Sequence, residues 1–455
     1  MSGTESGALH ELRVVEAELN ERWPETKIEP SLDRIRALTD LLAEPQRSYQ
    51  VVHIGGTNGK SSVSRMVDSL LTRIGLRTGR YTSPHLQLAT ERISIDNKPI
   101  TPEAYVEAYR DIAPYVSIVD SNHDVKMSKF EVLTGMAFAA FADAPVEAAV
   151  LEVGLGGGWD ATNVADAHIA VLCPIALDHA DYLGTDLAGI AREKSGIIKP
   201  DSIVVLAAQT AEVQTPILER VAEVGATVAR EGNEFGVLSR TVAVGGQMLK
   251  LQGLGGTYDE IFLPLHGEHQ ARNAALALAA VEAFFGAGAE QKLDPEAVQE
   301  AFAAVITPGR LERVRAAPAV LVDAAHNPHG ARALADALSS EFSFRRLVAV
   351  IGVLSDKDVR GLLRELEPVV EEVVLTKNSS PRAMDPDELA ALAKDIFGAE
   401  RIVVEPRLDD AVETAIQMAE ETTGDSDTVS GGGVVITGSV VTAGEGRALF
   451  GKEPL

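Results

Sequence analysis

The stretch Val51–Ser62, VVHIGGTNGKSS, constrains this chain more than any other. A short apolar run, Tyr49–Ile54, enters a glycine-rich turn, and a helical pattern leaves it from about Lys60 to Ile74. Strand, glycine loop and helix together open a βαβ unit. Glycines let backbone amides approach a bound anion closely, and the helix N-terminus adds partial positive charge. Lys60 is placed to neutralise outer phosphates, and Ser61 to reach phosphate or Mg²⁺. The common GxxxxGK[ST] pattern needs glycine at position 54, where this chain has Ile54.

The rest of the chain repeats the β/α rhythm. Residues 8–22 and 31–43 read as amphipathic helices, and buried-strand runs follow at Ala148–Val153, Ile169–Ile175 and Ser202–Ala207. Phe130, Leu133, Ala137 and Phe141 form a stripe at helical spacing. Thr241–Val244, Gly245-Gly246 and Gln247–Leu251 read as a hairpin, hence a small antiparallel patch. An Ala-rich helix is expected over about Glu268–Phe285. Thr307-Pro308-Gly309 is a plausible linker, after which strands recur at Ala319–Asp323, Leu347–Gly352, Val373–Thr376, Ile402–Val404 and Gly433–Thr437. With 455 residues, two domains are expected, 1–306 and 307–455. Residues 422–433 read as a surface loop.

Composition narrows the function. The net charge is −26 and no basic run is present, which argues against a nucleic-acid partner. No apolar run reaches membrane-spanning length and the first twenty residues lack a signal-peptide core, so a cytoplasmic protein without a membrane partner is expected. The single cysteine, Cys173, lies in an apolar run and reads as a buried hydrophobe. If the ligands are anions, a few Lys, Arg, backbone amides and metal ions must supply local positive potential.

Gly56-Thr57-Asn58-Gly59-Lys60-Ser61 resembles the variant phosphate loop of the Mur ligase superfamily. The segments YTSPHL (81–86) followed by Glu91-Arg92-Ile93, LEVGLGGGWDATN (151–163), LDHADYLG (177–184), REKSGIIKP (192–200), PGRLE (308–312), DAAHNP (323–328) and GVLSDKD (352–358) resemble its folylpolyglutamate synthase branch. The resemblance implies an α/β fold: an N-terminal P-loop Mur-ligase-type ATPase domain and a C-terminal Rossmann-like α/β domain. It also implies an ATP-dependent amide ligase that joins L-glutamate to dihydropteroate and to reduced folates through an acyl phosphate. A monofunctional folate-extending enzyme is the alternative, and a nucleotide-switch protein a remoter one. A monomer is expected.

Residue by residue, the resemblance assigns ATP to Gly56, Thr57, Asn58, Gly59, Lys60, Ser61, Ser62, Asn273, Arg310 and Asp323. It assigns Mg²⁺, at two sites, to Ser83, Glu152, His179 and Lys194. Lys60, His179 and Lys194 are the catalytic candidates. Leu187, Ile190, Ala191 and Lys194 share a helical face, so the Lys194 amine lies near apolar surroundings. Burial favours the neutral amine, which can take up CO₂ as a carbamate, a modification the family carries at the matching position. The pterin or folate is assigned to Ile28, Glu29 and Pro30, to Ser128, Lys129, Phe130 and Glu131, and to Trp159, Asp160 and Ala161. Phe130 and Trp159 offer flat faces for stacking, and Asp160 a partner for pterin nitrogens. Gly158 stands where the family commonly has Arg, which removes a positive charge near the ligand. His326 is a candidate for placing the incoming glutamate.

Overall fold

The computed structural model describes residues 2–23, 29–178, 180–286, 292–421 and 431–455. Ile28, His179 and most of the 422–433 segment therefore lie outside the described residues. Among the described residues the strands form three sheets.

The first sheet holds β1 (Gln50–Gly55), β2 (Thr78–Tyr81), β3 (Ile93–Ile95), β4 (Lys98–Pro99), β5 (Ala148–Glu152), β6 (Ile169–Leu172), β7 (Ile203–Leu206) and β8 (Thr227–Arg230). Their order is β4-β3-β2-β5-β1-β6-β7-β8. The six strands from β2 to β8 in that order are parallel, and β3 and β4 extend one edge antiparallel. Every residue of β5 and β6 is buried, the pattern of parallel strands covered on both faces. Strand order reverses at β1, with β2 and β5 to one side and β6 onward to the other. Ligands of open α/β sheets bind in the crevice beyond such a switch point, and the glycine loop follows β1 there.

The Lys60–Ile74 helix buries Val63, Met66, Val67, Leu70 and Leu71, a stripe at three- and four-residue spacing. It ends at Gly75, whose φ of 108° lets its N–H reach Leu71 and Thr72 carbonyls. This helix and the Glu268–Phe284 helix share one core over the first sheet, together with the three-stranded antiparallel sheet. That small sheet consists of β9 (Gly236–Ala243), β10 (Gly246–Gln252) and β11 (Thr257–Leu263). Helices Ser2–Asn20, Asp33–Leu41, Pro102–Asn122 and Lys129–Asp143 build a second core on the other face.

The third sheet comprises β12 (Glu312–Ala316), β13 (Ala319–Val322), β14 (Arg346–Ile351), β15 (Glu372–Lys377), β16 (Ile402–Arg407) and β17 (Gly432–Thr437), in the order β12-β13-β17-β14-β15-β16. All are parallel except β12, which pairs antiparallel with β13. Apolar cores cover both of its faces. The expected α/β class, antiparallel patch and second α/β unit are all present.

Candidate active site

A cleft of about 760 Å³ opens where the two large sheets face each other. Its floor is the loop after β1. Gly56 has φ 127°, and a Cβ there would sit 2.7 Å from Cys173 Cβ and 2.9 Å from its carbonyl oxygen. The loop is thus pressed against the end of β6, an approach only glycine allows. Gly59 is equally confined: a Cβ would meet Asn273 Oδ1 at 2.8 Å. Thr57 ties the loop to the segment after β6. Its N–H donates to Pro174 O (2.9 Å), its hydroxyl donates to Ala176 O (3.0 Å) and accepts from Ala176 N–H (3.1 Å).

Two ammonium groups converge on one carbonyl. Lys60 Nζ donates to Gly56 O at 3.2 Å, and Lys194 Nζ to the same oxygen at 3.1 Å. Lys194 is 5% exposed. Burial, and then the Lys60 charge, lower its pKa from 10.5 to about 7. A substantial neutral fraction at neutral pH is what carbamate chemistry requires.

Glu152 ends β5, beside Ile54 of β1. Its Oε1 accepts from Ser61 Oγ at 2.8 Å, while its buried Oε2 has no hydrogen-bond partner among the described residues. Burial raises its pKa, against which the Lys60 charge and the Ser61 hydroxyl act. An unpartnered buried carboxylate oxygen is costly and is suited to a cation. Ser83 also lines the cleft. No three His, Cys, Asp or Glu residues gather into a metal cage among the described residues. Mg²⁺ needs no such cage, because it keeps waters and uses one or two carboxylates plus substrate phosphates.

The opposite wall comes from the third sheet. Asp323, just past β13, accepts from Leu311 N–H and Ala325 N–H, both at 2.8 Å, and burial raises its pKa. Arg310 and His326 line the same cleft. His326 does not cap the Pro328–Glu341 helix; Asn327 does, accepting from Gly330 N–H. Asn273 is buried and donates to Gln270, which in turn donates to Ser62. All of the expected phosphate-loop residues, with Ser83, Glu152, Lys194, Asn273, Arg310, Asp323 and His326, therefore face one space.

The expected pterin residues are arranged differently. Ser128 and Glu131 form a reciprocal cap on the Lys129–Asp143 helix, and Glu131 pairs with Arg34 at 3.0 Å. Lys129 pairs with Glu16 at 2.8 Å. Asp160 accepts from the N–H groups of Gly154, Leu155 and Thr162 and from the Thr162 hydroxyl, which makes it the organiser of the turn after β5. Phe130 lies against Gly154 and Trp159 against Gly156, so both rings flank that turn. Ala161 is buried, while Glu29 and Pro30 are exposed. Gly158 lies next to Glu193, whose Oε1 would be 3.3 Å from a Cβ there.

Comparison with known proteins shows the family. The Mur ligase middle domain model matches residues 54–281, and the model of the Mur ligase glutamate ligase domain matches 309–439. The dihydrofolate synthase/folylpolyglutamate synthase of Mycobacterium tuberculosis is 57% identical, over 97% of this chain and 94% of that protein. This chain belongs to the folylpolyglutamate synthase branch of the Mur ligase family. The solved M. tuberculosis folylpolyglutamate synthase complexed with ADP superposes with a TM-score of 0.95 at 57% identity, covering 98% of this chain and all of that one. Escherichia coli FolC in complex with DHPP and ADP superposes with a TM-score of 0.83 at 29% identity, covering 97% of each chain. No described helix of this family member is long and apolar enough to cross a membrane.

Sequence reasoning missed several cleft residues, among them Arg240, His269, Arg272 and His329. Arg272 lies one helical position before Asn273, and His329 two residues past DAAHN, so their neighbours carried the only local signal. It also left Lys357 of the GVLSDKD segment without a role.

Proposed function

We propose that this protein is an ATP-dependent ligase that joins L-glutamate to dihydropteroate and extends folates with further glutamates, through an acyl phosphate. The observation that carries the reading is the pair of lysine amines, Lys60 and Lys194, meeting at the phosphate loop beside Glu152, whose Oε2 has no hydrogen-bond partner among the described residues. Family membership supports both the reaction class and the substrates. We also assign 1–306 and 307–455 as the two domains, in keeping with the separate matches on either side of 307 and 308.

ATP phosphates would lie along the Gly56–Ser62 backbone, where loop amides, the helix N-terminus and Lys60 stabilise charge building on the transferring phosphoryl group. Glu152, Ser61 and Ser83 would hold Mg²⁺. Lys194 as a carbamate, and His179, complete the expected ligand set. Bound there, the cation would supply positive charge against the phosphate oxygens. The substrate carboxylate attacks the γ-phosphorus in line, ADP leaves, and an acyl phosphate remains. The amine of glutamate then attacks the acyl carbon and phosphate leaves. Arg310 and Asp323 reach the nucleotide from the second domain, while Phe130 and Trp159 offer ring faces for the pterin and His326 a contact for glutamate. Ser128, Lys129, Glu131 and Asp160 support the pocket through the internal contacts described above.

The test is direct. Purified protein with MgATP, L-glutamate and either dihydropteroate or a reduced folate should gain one glutamate on the first and several on the second, read as product masses. Oxygen label in the substrate carboxylate should pass into phosphate. Gains on folate alone would leave the monofunctional enzyme, and no gain on either would refute the substrate assignment.

A further inference from the structure

Lys357 comes from the loop between β14 and the Val359–Leu366 helix and reaches across to the first domain. Its Nζ lies 2.7 Å from Asp178 Oδ1, with the two side chains 7% and 8% exposed. Lysine and aspartate are seldom so buried unless paired. The other Asp178 oxygen accepts from Asn327 Nδ2 at 3.0 Å and lies 3.3 Å from His326 Nε2. Asn327 also exchanges hydrogen bonds with Asn58 of the phosphate loop, at 3.2 and 3.3 Å.

Asp178 is itself two residues past Ala176, which is locked to Thr57. One carboxylate from the first domain is thus gripped by three side chains of the second, and its chain segment is bonded to the phosphate loop. Other contacts also cross between the domains. Glu341 accepts from His266 and Gly267 N–H, and Arg447 bonds Gln87. None of these three pairs includes a residue of the phosphate loop, whose Asn58 also meets His329 Nδ1 of the second domain at 2.9 Å.

We propose that Lys357 is a positioning residue: its ion pair with Asp178 latches the two domains over the phosphate loop and keeps water from the acyl phosphate. This rests on the ligase reading above. With the latch broken, water competes with the glutamate amine. It adds to the acyl carbon, the carbon–oxygen bond to phosphate breaks, and carboxylate, phosphate and protons result. ATP is then consumed without an amide being made.

The test uses the full-length variants Lys357→Met and Asp178→Asn and the double variant, each checked for folding by thermal melting. In the wild type, phosphate and amide should form one for one. In each single variant phosphate should exceed amide, and kcat/KM for glutamate should fall by about a hundredfold, as displacement of bound groups by about 1 Å can cost. The double variant should lose no more than the worse single one, because both remove one interaction. One-for-one product formation in folded single variants, or additive losses in the double, would overturn the latch. If the wild type makes no amide from any folate substrate, the ligase reading fails on its own. Small-angle scattering with ADP then still tests the latch: Lys357→Met should be more extended than wild type, and equal dimensions would overturn it.

Discussion

Gly56→Ala isolates what the phosphate loop contributes. The backbone there has φ 127°, a conformation that side chains other than hydrogen rarely adopt, and holding it costs about 1–3 kcal/mol. The added methyl would stand 2.7 Å from Cys173 Cβ and 2.9 Å from its oxygen, both on the backbone side of a buried strand end that cannot swing away. Overpacking of that kind costs about 1–3 kcal/mol more. The loop can shed the sum, about 2–6 kcal/mol, by moving off the end of β6, and that movement misaligns the amides that would meet phosphate. ATP affinity should therefore fall at least about thirtyfold, the equivalent of 2 kcal/mol. Calorimetric titration with MgATP reads it directly. Gly225→Ala is the control: φ is 69° and no atom lies within 4 Å of the added methyl. It should cost about 1 kcal/mol of stability in urea unfolding and leave ATP binding unchanged. A folded Gly56→Ala protein that binds ATP within about threefold of wild type, under 0.7 kcal/mol, would refute the reasoning.

Two further outcomes follow from the buried lysine and the missing arginine. Lys194 has a folded pKa near 7 against 10.5 for the free side chain, so between those values the unfolded chain holds one more proton than the folded one. Stability should rise with pH across that window by up to about 1.4 kcal/mol per unit, and be lost as pH falls toward 7. Urea midpoints in CO₂-free buffer should show this slope in wild type and not in Lys194→Met; parallel slopes would contradict it. In Gly158→Arg the three atoms nearest the new Cβ all belong to Glu193, the nearest at 3.3 Å. It should change stability by no more than about 0.5 kcal/mol and lower KM for dihydropteroate without altering KM for ATP. An unchanged KM would mean that position 158 does not face the substrate.

Local patterns were legible where they were sufficient. The Lys60–Ile74 helix begins and ends where glycines and apolar spacing place it, and the mainly apolar strands β5, β7, β13 and β14 were found within one residue at each end, while the run expected over Ile169–Ile175 gave β6 with its end three residues too late. The short strands β2, β3, β8 and β12 were not. Strand β2, Thr78-Gly79-Arg80-Tyr81, shows why. It carries a charged residue into a fully buried position, and Arg80 is tolerated there because Asp68 lies 2.9 Å away on the Lys60–Ile74 helix. Nothing in the strand itself announces that partner.

The same distinction separates the phosphate loop from the rest of the site. A loop that binds phosphate through backbone amides must carry its glycines, lysine and hydroxyls within a few residues, so its chemistry is written in one segment. The ionisable groups that surround it come from element ends far apart in the chain: Glu152 from the end of β5, Lys194 from the end of the Leu187–Lys194 helix, Asp323 from just beyond β13. Each looks ordinary in its own segment. The segment 128–131 shows the converse. Ser128, Lys129 and Glu131 are polar residues at the start of an apolar helix, a pattern that suits a ligand site and a helix cap equally, and here the three side chains make the cap and two ion pairs. In a chain of net charge −26 the site needs cations where the phosphates will lie. Lys60 and Arg310 supply them from two separate segments, so the positive potential at the cleft is a product of the fold and cannot be read from the charge of any one stretch.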